Sequence, residues 1–291
     1  MRRPIRPLLT GFSLLSLFLS ACALAPVSLN TFLKSSRVQA PKNFLGRVAR
    51  PEIRDYPSPN QNERPAGTRI SAIVLHHTAM AGNAEAVARF FANPKAGVSS
   101  HYVIDRDGSI IQPVADQARS WHAGKSEMNG VANVNDFSIG IEICNLGNSV
   151  EPYSDAQYDG IIRLVAWLSE THQIPLTHIT RHRDVAIPAG RKIDTSNNFS
   201  VERVVRGVQA LQSGSYVPPT APAAPPPVLP EYVTVTVQPG QTSFEDLADI
   251  HLDNARRAVE IQAVNPGVKE LRPGQKIKIP THTELFDRLV R

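Results

Sequence analysis

Between Tyr216 and Pro230 the chain reads Tyr-Val-Pro-Pro-Thr-Ala-Pro-Ala-Ala-Pro-Pro-Pro-Val-Leu-Pro, and about half of these residues are proline. Proline lacks an amide hydrogen and fixes φ, so neither a helix nor a central strand can run through the stretch. It favours an extended polyproline II spacer, roughly 45 Å long at about 3.1 Å per residue. The chain therefore divides into a larger part before the linker (214–230) and a smaller part after it. Its 291 residues leave room for one medium domain and one small one, with ends to spare.

Composition narrows the class. Hydrophobic residues make up 42% and charged residues 20%, an ordinary globular balance. A net charge of +5 and a pI near 9.4 give mild attraction to anionic polymers or anionic membrane surfaces. There is no Lys/Arg block and no interleaving of basic and aromatic residues, so nucleic acid is set aside as a partner.

The N-terminus has a basic opening, Met1-Arg2-Arg3-Pro4-Ile5-Arg6, and an apolar run from Leu8 to Leu19 that is short for a membrane span. The run ends in Leu19-Ser20-Ala21-Cys22, which resembles the lipobox of bacterial lipoproteins. That resemblance implies a signal peptide over 1–21 and a lipid anchor on the sulfur of Cys22. Ala23 in the next position implies sorting to the outer membrane, facing the periplasm. Residues 22–67 are rich in Pro, Arg, Asn and Ser without a sustained period, and read as a tether that becomes ordered only towards the domain. Cys144 is then left unpaired and reads as a small buried hydrophobe.

The main domain is expected over 68–213. Arg69 to His76 is a β-branched run that predicts a buried strand, and Asn83 to Phe91 has helical spacing stopped by Asn93-Pro94. Residues 101–112 read as a hairpin around Gly108, and Phe137 to Leu146 as another strand, interrupted by Glu142. Ser154-Asp155-Ala156-Gln157 reads as a capping box opening a helix through about His172, with Ile161, Ile162, Val165 and Leu168 inward. Phe199 to Leu211 predicts a last helix. Strands and helices interleave, so the expected class is α/β with a mixed central sheet flanked by helices.

Chemistry concentrates in three places. His76 ends one strand, Glu142 interrupts another, and His182 and Asp194 bracket a loop punctuated by Pro188 and Gly190. Two imidazoles and one carboxylate suit zinc and leave a coordination position for water. If Lys192 to Asp194 is extended, both side chains share a face. Lys192 would then need an anionic partner, or a negative charge that develops during a reaction. Taken alone, the loop reads equally well as a surface segment with scattered charges.

Four motifs carry a family resemblance: Val74-Leu75-His76-His77-Thr78-Ala79, Trp121-His122-Ala123-Gly124, Asn135 through Glu142, and His182 followed by Lys192-Ile193-Asp194. Together they look like the zinc N-acetylmuramoyl-L-alanine amidases of the amidase-2 type, a family sharing its fold with peptidoglycan recognition proteins. The resemblance covers about 68–212. It implies Zn2+ held by His76, His182 and Asp194, with Glu142 as catalytic acid/base and Lys192 assisting. The implied reaction cuts the amide between N-acetylmuramoyl and L-alanine in peptidoglycan or muropeptides. The alternative is a non-catalytic peptidoglycan-recognition lipoprotein on the same fold. Presence of all three ligand candidates with Glu142 and Lys192 favours the enzyme.

Weaker candidates surround this set. His122 and His101 are expected to line a substrate groove, and Trp121 fits either a core position or a sugar platform. His77 should point away from His76 on the strand. Cys144 lies two residues from Glu142, a spacing that shares a strand face, but as a fourth ligand it would close the site. His172, His178, His251 and His282 lie in no motif and read as surface. Where many relatives have Pro-Gly after Asp194, this chain has Thr195-Ser196-Asn197-Asn198.

Beyond the linker, Pro239-Gly240-Gln241-Thr242, then Asn265-Pro266, then Leu271-Arg272-Pro273-Gly274-Gln275-Lys276-Ile277-Lys278-Ile279-Pro280 fall in order over 231–280. They resemble a LysM domain, a βααβ module that binds N-acetylglucosamine-containing glycans, and the linker would keep it semi-independent of catalysis. Ser243-Phe244 departs from the usual apolar residue after the threonine. Residues 281–291 are left as a tail.

Overall fold

The computed structural model describes residues 48–220, 231–252 and 254–281. The signal peptide, Cys22, the first part of the tether, linker residues 221–230 and tail residues 282–291, with His282, lie outside them.

Six strands form the central sheet: β1 (Arg54–Asp55), β2 (Ala72–His77), β3 (Tyr102–Ile104), β4 (Ile110–Gln112), β5 (Ser138–Ile143) and β6 (Ile179–Arg181). Their order is β1-β4-β3-β5-β2-β6, and every pair is parallel except the β3–β4 hairpin. The sheet is mixed, as expected. Every residue of β2 and β5 is buried, because helices or loops cover both faces.

One face packs Ile73, Leu75, Ile139, Ile141 and Ile143 against two helices, α2 (Asp155–His172) and α3 (Val201–Gln212). Ile161, Ile162, Val165 and Leu168 of α2 all point inward. The other face meets α1 (Ala84–Ala92), whose Val87, Phe90 and Phe91 cluster with Val103, Ile111 and Cys144. Asn83 caps α1 by accepting from Ala86 N.

The capping box expected on α2 is only half made. Ser154 accepts from Gln157 N, but the Gln157 side chain donates to Cys144 O (2.8 Å) and Asp105 O (3.2 Å) instead. A buried carbonyl at the end of β5 needs a donor, and that demand outweighs the cap.

Part of the expected tether belongs to the fold. Val48 N donates to Glu170 Oε2 at 2.7 Å, Ile53 packs on the core, and β1 pairs with β4. Arg64 donates to the carbonyls of Asp116, Asn135, Asp136 and Ser138 at 2.8 to 3.0 Å. Burial lowers its guanidinium to a pKa of about 10, still charged at neutral pH. Arg64→Met would leave four partly buried carbonyls without this donor. It should cost about 3 kcal/mol of stability, read as a lower denaturation midpoint in urea. A change within 0.5 kcal/mol would mean water replaces the guanidinium.

The C-terminal unit has the expected βααβ order: β7 (Tyr232–Thr236), α4 (Phe244–His251), α5 (Ala258–Val264) and β8 (Lys276–Pro280), with β7 and β8 antiparallel. Its core is Val237, Phe244, Leu247, Ala248, Leu252, Ile261, Ile277 and Ile279. Ser243 caps α4 and forms a capping box with Asp246, so the residue that departs from the resembled pattern serves the helix start. The unit packs against the larger domain. Asn254 Nδ2 donates to Ala96 O at 2.9 Å, and Arg256 Nη1 donates to Lys95 O at 3.0 Å.

Candidate active site

Three adjacent parallel strands deliver the site at their C-terminal ends, where open α/β sheets place their ligands. His76 lies opposite Glu142 in the β2–β5 register, so both side chains leave the same face. Arg181 lies opposite Leu75, which brings His182, the first residue after β6, level with His76. Sequence reading missed β6, because Ile179-Thr180-Arg181 is too short to show alternation.

Asp194 arrives on the following loop. Arg183 N donates to Asp194 O at 2.8 Å and folds the loop back onto the helical turn His182–Val185. His76, His182 and Asp194 then offer one donor atom each, all within 4.8 Å of one another, and all three residues are buried. Among the described residues this is the one such cluster.

Hydrogen-bond partners settle the tautomers of both imidazoles. His182 Nε2 lies 3.1 Å from Ala123 O, a pure acceptor, so that nitrogen carries the proton. Ser138 Oγ donates to Val134 O (2.6 Å) and accepts from His122 Nε2 (3.1 Å). His122 Nδ1 must then accept from His76 Nε2 at 3.0 Å. The lone pairs of His76 Nδ1 and His182 Nδ1 both face Asp194 Oδ2, at 2.9 and 3.1 Å. Three electron-pair donors converge, and only a cation among them, a proton or a metal ion, removes the repulsion. Imidazole nitrogens fixed by outer hydrogen bonds are the usual arrangement around zinc.

Charge follows from this packing. Burial alone would raise the Asp194 carboxyl, but with a proton shared among the three, His182 and His76 beside it hold it well below the usual carboxylate range. Burial, together with His76, His101 and His182, pushes His122 well below the usual imidazole range.

The family model for N-acetylmuramoyl-L-alanine amidase matches residues 66–197, which contain His76, His122, His182 and Asp194. The 1,6-anhydro-N-acetylmuramyl-L-alanine amidase AmpD of Enterobacter cloacae is 32% identical over 168 residues, covering 52% of this chain and 88% of that one. The chain belongs to the N-acetylmuramoyl-L-alanine amidase family. AmiD, an N-acetylmuramoyl-L-alanine amidase of Escherichia coli strain K12, is 30% identical over 132 residues, 40% of this chain and 46% of that one. A solved selenomethionine AmpD derivative aligns at a TM-score of 0.47 with 31% identity, over 58% of this chain and 99% of that one.

Within this family member, Glu142 is buried and lines a small cavity together with Thr78, Trp121 and His122. Trp121 is half-buried, and its Nε1 donates to Asn62 Oδ1 at 2.7 Å. His101 does not line the groove. It is fully enclosed, with Nε2 beside Arg64 and Ala118 O, and Nδ1 accepting from Gly140 N at 2.9 Å. Its burial and the Arg64 charge lower it to about 3, so it is a neutral support behind the site.

His77 faces away from the cluster and accepts from Ser196 N at 3.0 Å. Cys144 sits in the apolar layer under α1, and burial pushes its thiol well above the ordinary range, which suits a hydrophobe and not a ligand. His172 and His178 are tied down at Asp116 Oδ2 (2.7 Å) and Ser71 O (2.9 Å). His251 is also packed in, and burial beside His77 lowers it to about 4.

Two residues of the site escaped sequence reading. Asn135 Oδ1 accepts from His122 N and Ala123 N, at 3.2 and 2.7 Å, and holds the backbone that presents His122. Gly140 supplies the space for that ring: a Cβ there would lie 2.4 Å from His122 Cγ. Both lie in the quoted Asn135–Glu142 motif, which was the available signal.

Lys192 is buried, and its Nζ donates to Asp249 O (2.7 Å) and Asp249 Oδ1 (2.9 Å). The anionic partner that a lysine in this position demands comes from α4, in the C-terminal unit.

Proposed function

We propose that the chain is a zinc-dependent amidase that hydrolyses the bond between N-acetylmuramoyl and L-alanine in peptidoglycan or muropeptides. The observation that carries this reading is the convergence of His76 Nδ1, His182 Nδ1 and the Asp194 carboxylate one strand away from Glu142. His76, His182 and Asp194 would hold zinc, which would supply Lewis-acid chemistry to activate a water and to polarise an amide carbonyl. Glu142 accepts the proton of the attacking water and returns it to the departing amine of L-alanine. Lys192, two residues before Asp194, stabilises the negative charge that develops on the lactyl carbonyl oxygen. His122, bonded to His76 and Ser138, keeps the first imidazole in its binding tautomer. Trp121 and His122, at the cavity, contact the substrate.

Further parts of the reading rest on sequence resemblance. The βααβ unit is a LysM-like binder of glycan. Cys22 carries lipid and holds the enzyme at the outer membrane, facing the periplasm. Cys22→Ala should leave the protein out of the membrane fraction, and a variant that still floats with lipid would remove the anchor.

The test of the main reading is mass spectrometry of muropeptides after incubation with the chain, with and without a chelator. Release of peptides beginning with L-alanine, abolished by chelator and restored by zinc, is the expected result. Binding of peptidoglycan without peptide release would instead make the chain a recognition protein.

A further inference from the structure

The C-terminal unit sits on the mouth of the site. Asp249 takes the Lys192 ammonium through both its backbone and its side chain, and its other carboxylate oxygen lies 3.4 Å from Arg191 Nη1. Leu252, Asn254 and Arg257 line the same cavity as Glu142, His122 and Thr78. Arg257 is fully buried, paired with Glu260, and lies 5.4 Å from the centre of the Phe90 ring. The space between these residues is about 30 Å³. That holds about one water, whereas ligand sites for drug-sized molecules run to roughly 300–1,000 Å³. The space left beside Glu142 and His122 is too small for a muramoyl peptide.

We infer that the C-terminal unit is an autoinhibitory cap, latched to the catalytic loop by Asp249 on Lys192, and that it must lift before substrate binds. The inference rests on the amidase reading of the site. Its chemistry is economical: the latch occupies the one loop lysine assigned to the developing oxyanion, so closing the mouth and disarming Lys192 are the same event. Opening returns Lys192 and Asp249 to water, so neither charge is left buried without a counter-charge. Apparent affinity for substrate then falls by the fraction of chains that are open, and a cap open one-tenth of the time costs about tenfold.

The experiment uses the full chain and Asp249→Arg, which sets a cation against Arg191 and Lys192. Two readings are taken together. One is acylation of Lys192 by an amine-reactive ester, measured by peptide mass spectrometry with exposed Lys125 as the internal reference. The other is kcat/KM on a small soluble N-acetylmuramoyl-L-alanyl peptide. The expected result is faster labelling of Lys192 and a rise of about tenfold in kcat/KM. Faster labelling with kcat/KM unchanged or lower would overturn the cap. If labelling does not change, Asp249→Arg is combined with Asn254→Ala and Arg256→Glu, which removes the contacts to Ala96 and Lys95 as well. Lys192 that stays unlabelled in that variant also overturns the latch. A chain that releases no peptide in any form, even where Lys192 becomes reactive, fails the amidase reading and not this one.

Discussion

Glu142→Gln is expected to lower amide hydrolysis by roughly a hundred- to ten-thousand-fold while zinc content stays near that of the wild type. The amide is nearly isosteric with the carboxylate, so the buried strand β5 should keep its packing. Glu142 does not belong to the His76, His182 and Asp194 set, so removing its charge takes no donor from that cluster. What the substitution removes is a proton acceptor beside the mouth of the site. Peptide release by mass spectrometry, beside metal content by elemental analysis, separates the two effects. A Glu142→Gln chain that turns over at the wild-type rate would leave the family membership intact and remove Glu142 as the base.

His182→Ala should behave differently, losing metal and activity together. It deletes one of two imidazole donors and leaves the Ala123 carbonyl with Arg191 Nη2, at 3.3 Å, as its remaining donor. A metal that binds only the folded chain stabilises it, by about 2.7 kcal/mol at a free concentration one hundred times its Kd. The wild type should therefore melt at a higher temperature when zinc is added, and His182→Ala should show no such gain at the same concentration. A variant that retains one zinc per chain and the full thermal gain would mean His182 is not a ligand.

These predictions draw on residues that were legible in the sequence to different degrees. The strands β2 and β5 could be read directly, because a strand covered on both faces must be an almost unbroken apolar run. Within such a run, His76 and Glu142 stand out as polar groups with no structural reason to be there. The helices α1 and α2 were equally clear, since their inward residues repeat at the helical period and Asn83 and Ser154 mark their starts. His182 and Asp194 had no such background. Their loop reads as well as a solvated surface, and the family motifs, not the local pattern, singled them out.

The tertiary structure decided the rest, and the reason is the same in each case. The donors of Arg64 go to carbonyls that follow it by 52 to 74 residues, and Asn135 and Ser138 act on His122 through single hydrogen bonds. Such contacts have no periodicity and need no particular neighbour in sequence. The proline-rich stretch gave every sign of separating two independent units, and the residues described before and after it form separate hydrophobic clusters. A spacer sets how far apart its ends can be, not whether they stay apart. That Asp249 comes to rest on Lys192 depends on two surfaces fitting each other, and the charges that fit lie 57 residues apart.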